Sequence, residues 1–82
     1  MATAGIVELD LHGMTKVQAQ TCVDAALRRA GAGVYRLRLI HGYTRGTELR
    51  DMLRAHYKKH PRVLRVELSL NQGQTELVLR EY

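Results

Sequence analysis

Every strand-like segment of this chain keeps one polar face, and that regularity excludes most α/β architectures. Ile6 to Leu11 sets Val7, Leu9 and Leu11 against Glu8 and Asp10, and Val34 to Ile40 sets Tyr35, Leu37 and Leu39 against Arg36 and Arg38. Val63 to Leu68 sets Leu64, Val66 and Leu68 against Arg65 and Glu67, and a last strand around Leu77, Val78 and Leu79 carries Glu76 and Arg80. Strands covered by helices on both sides read as continuous apolar runs. The alternation therefore predicts a sheet with helices on one face and water, or a partner, on the other.

Two helical segments separate the strands. Thr15 with Gln18 three positions later reads as a capping box, and Ala19, Cys22, Val23, Ala26, Leu27 and Ala30 follow at helical spacing until Gly31. Leu49, Met52, Leu53, His56 and Tyr57 form a second apolar stripe, with His56 expected as a core or boundary residue, and His60-Pro61 ends that helix. Asn71-Gln72-Gly73 is turn chemistry between the last two strands, which are expected to form a hairpin. The order is βαβαββ. It predicts a two-layer α/β sandwich: a mixed four-stranded sheet, the first three strands mostly parallel, with both helices on one face. Eighty-two residues suffice for one core, so residues 1–82 are read as a single domain.

Net charge is +5, but its distribution is uneven. From Arg28 to Arg65 there are eleven basic and two acidic residues, whereas the flanks carry two basic and six acidic ones. A cationic middle attracts polyanions, of which nucleic acid is the commonest large one in the cytoplasm. No apolar run approaches the ~20 residues needed to cross a bilayer, and Met1 to Gly5 has neither the basic start nor the apolar stretch of a signal peptide. A lone Cys22, expected as a small core residue, and four histidines without companion cysteines make neither a disulfide framework nor a zinc site. A reduced, cytoplasmic setting without membrane association is expected.

The chemistry concentrates at the strand-to-helix junctions. Leu11-His12-Gly13-Met14-Thr15 follows the first strand and Ile40-His41-Gly42-Tyr43-Thr44 the second, an apolar-His-Gly-x-Thr pentapeptide recurring after 29 positions. Parallel strands bring both junctions to one sheet edge, where open α/β sheets bind ligands and helix amino termini favour anions. Glycine after each histidine permits close backbone approach. Two imidazoles can act as base and acid across one phosphodiester. Asp10, two positions before His12, is placed to orient that ring or to hold a metal, and Arg45 to contact a phosphate oxygen. The competing explanation is two turn histidines whose ring nitrogens satisfy neighbouring backbone groups. On the second helix Arg50, Arg54 and Lys58 form a basic ridge suited to a nucleic-acid backbone, and Tyr43 could stack on an unpaired base.

These residues resemble the small MutS-related (Smr) domain family. Leu9-Asp10-Leu11-His12-Gly13 matches its Leu-Asp-Leu-His-Gly motif, and Ile40-His41-Gly42 followed by Gly46, Leu49 and Arg50 resembles its His-Gly-x-Gly motif, with Thr44 where the second glycine would stand. The resemblance extends through His60-Pro61-x-Val63 and the terminal hairpin. It implies a fold similar to the carboxyl-terminal domain of translation initiation factor 3, nucleic-acid binding and, in several members, endonuclease activity on DNA or RNA.

The expected function is a nucleic-acid-binding domain that cleaves RNA or nicks DNA, with Asp10, His12 and His41 catalytic. Gly13, Thr15, Gly42, Tyr43, Thr44, Arg45 and Gly46 would contact phosphate or base. RNA is favoured slightly over DNA, because its 2′-hydroxyl is a built-in nucleophile. No cofactor is required for that route, whereas DNA nicking would call for a divalent metal ion. The alternatives are a binding module without catalysis, on ribosomal RNA through Arg36, Arg38, Arg45 and the helical ridge, or a protein-interaction domain using the open sheet face.

Overall fold

The computed structural model describes residues 5–42, 48–69 and 73–81. Its elements run β1 (Ile6–Asp10), α1 (Lys16–Arg29), β2 (Arg36–Ile40), α2 (Glu48–Tyr57), β3 (Arg65–Leu68) and β4 (Gln74–Val78). The capping box forms as the sequence predicts: Gln18 N–H donates to Thr15 Oγ1 at 3.1 Å, and Thr15 N–H to Gln18 Oε1 at 3.0 Å. At the other end of α1, Arg62 Nη1 donates at 2.9 Å to the Leu27 carbonyl, which also accepts from the N–H of the cap residue Ala30 at 3.4 Å.

The sheet order is β1-β2-β4-β3, with β1 and β2 parallel and β4 antiparallel to both of its neighbours. The mixed four-stranded sheet with two helices is the expected architecture. What the alternation did not reveal is that the last strand inserts between β2 and β3. Residues of one parity, among them Leu37, Leu39, Thr75 and Leu77, meet Ala19, Val23 and Leu27 of α1 and Leu53 and Tyr57 of α2 in the core. Each fully buried leucine there contributes about 1.5–3 kcal/mol. Tyr57 joins the two helices, its hydroxyl lying 2.7 Å from Asp24 Oδ1 and 3.1 Å from the Gln20 carbonyl of α1. His56, expected in the core stripe, is exposed, with its ring edge-on to Tyr57 at 4.7 Å. The stripe is filled by Leu53 and Tyr57, which leaves the flanking position to solvent.

The opposite parity forms the open face, where the polar residues pair with one another. Glu76 of β4 accepts from Arg36 and, at 3.0 Å, from Arg38; Arg36 also reaches Glu67 at 2.8 Å, and Arg38 reaches Glu8 at 3.2 Å. Burial alone would raise the Glu76 pKa, but the hydrogen bonds from Arg36 and Arg38 lower it overall. At the strand edge, Arg65 joins Glu67 at 2.8 Å and also pairs with Glu81.

Candidate nucleic-acid site

The carboxyl ends of β1 and β2 lie side by side. Asp10 pairs with Ile40 in the parallel register, and Leu11 N–H continues the ladder to the Ile40 carbonyl at 2.7 Å. Carrying that register forward sets Leu11 beside His41 and His12 beside Gly42, and a methyl group added at Gly42 would lie 3.7 Å from the His12 Cβ. Gly13 and Gly42 turn the chain at φ +77° and +74°, a left-handed conformation natural to glycine. The helix starts gather at the same edge, since Lys16 Nζ approaches Glu48 Oε2 at 3.9 Å. No acidic side chain occupies the first turn of α1, so its positive end is not internally neutralised.

The two histidines are not equivalent, despite their matching places in the repeated pentapeptide. The register is offset by one residue from the repeat, and one residue along a strand changes the face. His12 is exposed and lies on the side of Asp10, whose Oδ1 accepts from both the His12 ring Nδ1–H and, at 3.3 Å, the His12 backbone N–H. These two hydrogen bonds, the ring bond first, hold the Asp10 carboxyl below its ordinary pKa. His12 Nε2 has no partner among the described residues, so it is the ring atom open to a ligand.

His41 faces the helix side and is only 6% exposed. Its Nδ1 lies 2.8 Å from the Gly42 carbonyl, which can only accept, so the ring proton sits on Nδ1. Its Nε2 lies 2.9 Å from Thr75 Oγ1, and Thr75 in turn accepts from Arg54 Nε at 3.0 Å. Burial, together with the charges of Arg54 and Arg50, pushes the His41 pKa below its usual value. A neutral His41 therefore completes a directed chain, from Arg54 through Thr75 and His41 to the Gly42 carbonyl. The two imidazoles do not face one another across a common hollow, and the competing explanation of a turn histidine satisfying its neighbour's carbonyl describes His41.

The remaining candidates divide. Thr15 Oγ1 is engaged as the helix cap. Arg50 pairs with Asp51 at 3.2 Å, and Lys58 lies just past the end of α2, roughly 12 Å along the axis from Arg50. Arg36 and Arg38 are ion-paired on the open face, away from the junctions. Tyr43, Thr44, Arg45 and Gly46 lie outside the described residues. Among the described residues no three His, Cys, Asp or Glu side chains gather to hold a metal ion, and Asp10 with His12 supplies two donors. No helix among them is long and apolar enough to cross a membrane. Thr75 is the residue that sequence reasoning missed. Its signal was a polar side chain at a core-facing position of an alternating strand, paired in register with Leu39.

Comparison with known proteins matches this arrangement to one family: the Smr domain profile covers residues 9–76, spanning both junctions and most of β4. The chain belongs to the Smr domain family. Among solved structures, the Smr domain of Thermus thermophilus MutS2 superposes with a TM-score of 0.81 at 34% identity, covering 92% of this chain and 99% of that one. Comparison with curated proteins gives no match. Smr domains in general bind nucleic acid, with nicking activity in some members, and this Smr domain carries its two His-Gly turns at the ends of adjacent parallel strands.

Proposed function

We propose that this Smr domain binds RNA along the rim formed by the ends of β1 and β2 and cleaves it there, with His12 as the proton-transfer group. The observation that carries this reading is the exposed Asp10–His12 pair beside Gly42. Asp10 fixes the Nδ1–H tautomer and leaves the Nε2 lone pair as a base. Nε2 takes the proton of a 2′-hydroxyl, the 2′-oxygen forms a bond to phosphorus, and the bond from phosphorus to the 5′-oxygen breaks. The imidazolium then returns its proton to that oxygen. The products are a 2′,3′-cyclic phosphate and a 5′-hydroxyl end. His41, engaged at both nitrogens, serves as a positioning residue that fixes the Gly42 carbonyl. Scission of DNA at the same rim would need an activated water, for which a divalent ion held by Asp10 and His12 is the natural source.

The occupied His41 ring favours a second reading, a module that binds RNA without cutting it. Incubation of the pure protein with a stem-loop RNA, single-stranded DNA and supercoiled plasmid, with and without magnesium, separates the two. The first reading expects RNA cut to a cyclic phosphate, with cleavage lost and binding kept in His12→Ala. RNA that is bound but left intact by the unmodified protein overturns the enzyme in favour of the module.

A further inference from the structure

Four described arginines are half-buried: Arg36, Arg38, Arg50 and Arg54. The first three have carboxylate partners within 3.2 Å. Among the described residues Arg54 has none, and its one hydrogen bond runs from Nε to Thr75 Oγ1. Removing a cation from water is costly, and proteins offset that cost with an opposite charge. Here burial first, then repulsion from Arg50, lowers the Arg54 pKa by more than the attraction of Asp51 raises it.

We propose that Arg54 is the docking residue for a backbone phosphate of the bound nucleic acid, and that Thr75 positions it; the proposal rests on the functional reading above. Thr75 is fully buried at a site where valine would fill the same volume. Its hydroxyl is used in both directions, accepting from Arg54 and donating to His41. Anchoring through Nε leaves the two terminal nitrogens of Arg54 for a bidentate contact, the geometry in which guanidinium holds phosphate. The anchor is continuous with the rim: Thr75 holds His41, His41 holds the Gly42 carbonyl, and Gly42 adjoins His12. A phosphate seated on Arg54 is thereby registered against His12 through one chain of contacts.

The test is binding of a labelled stem-loop RNA by fluorescence anisotropy across a salt series, for the intact protein and for Arg54→Gln, Thr75→Val and Thr75→Ser. Circular dichroism verifies that each variant folds. The expected result is an affinity loss of about tenfold or more in Arg54→Gln, with the salt slope reduced by about 0.7–1. Thr75→Val weakens binding in the same sense, and Thr75→Ser, which keeps the hydroxyl, restores it. RNA bound by the intact protein and equally well by Arg54→Gln overturns this proposal and leaves the rim reading standing. Wild-type affinity in Thr75→Val overturns the positioning role, and should that variant not fold, Arg54→Gln decides alone. No RNA binding by the intact protein overturns both the proposal and the reading beneath it.

Discussion

His12 and Gly42 are neighbours across the parallel β1–β2 pair, with room for a methyl group at Gly42 at 3.7 Å from the His12 Cβ. That distance is ordinary contact, so the reason for glycine is backbone geometry. At φ +74° an L side chain is strained by roughly 1–2 kcal/mol. Gly42→Ala, and Gly13→Ala at φ +77°, are each expected to lower unfolding free energy by about that amount in urea titration. Unchanged midpoints would show that the turns do not require the left-handed conformation.

His41 makes stability sensitive to acid. Its folded pKa lies below that of the unfolded chain, chiefly through burial, so the unfolded state binds a proton more tightly. The stabilisation is present above the ordinary histidine range, near 6.5, and is lost as pH falls through it toward the folded value. Denaturation midpoints should decline as pH falls below about 7, and His41→Gln should flatten that decline. An identical decline in the variant would contradict a neutral, buried His41.

Local rules made the element order, the Thr15–Gln18 cap and the polar face of the sheet legible in the sequence, because each depends on residues a few positions apart. The candidate site was legible in part. Asp10 and His12 are two residues apart on one strand, so their pairing follows from strand periodicity. The orientation of His41 was not legible, because the repeated pentapeptide suggested equal positions while the interstrand register, a long-range property, offsets them by one. Thr75 stands 34 residues from His41 and meets it only because β4 inserts next to β2. Arg36 and Arg38 read as nucleic-acid contacts of the binding-module alternative, and which carboxylates would pair with them, Glu8, Glu67 and Glu76, depended on the strand order.

Tyr57 ties α2 to α1 through its hydroxyl. Tyr57→Phe is expected to cost about 1–2 kcal/mol in chemical denaturation. Burial, then the bond to Asp24, raises the hydroxyl pKa far above its ordinary value. The stabilisation is therefore whole at neutral pH and falls as pH rises past about 10, where the unfolded tyrosine ionises. A variant as stable as the parent at neutral pH would show that the helices are joined by apolar packing alone.

The open face is expected to act in stability rather than in nucleic-acid affinity. Glu76→Ala removes the carboxylate that Arg36 and Arg38 share, leaving them Glu67 and Glu8 respectively, and should cost about 1–3 kcal/mol. Arg36→Ala and Arg38→Ala should change RNA affinity by less than about threefold, since their charge is already compensated. A loss comparable to that of Arg54→Gln would return these arginines to the binding surface.

The location of the binding surface is tested most directly by backbone amide NMR shifts during titration of the intact protein with a stem-loop RNA. Saturable shifts centred on His12, Gly13, Gly42 and Thr75 are expected, with the amides of Arg36, Arg38, Glu67 and Glu76 little moved. Shifts confined to those open-face residues, with the His12 and Gly42 amides unmoved, would contradict binding at the rim.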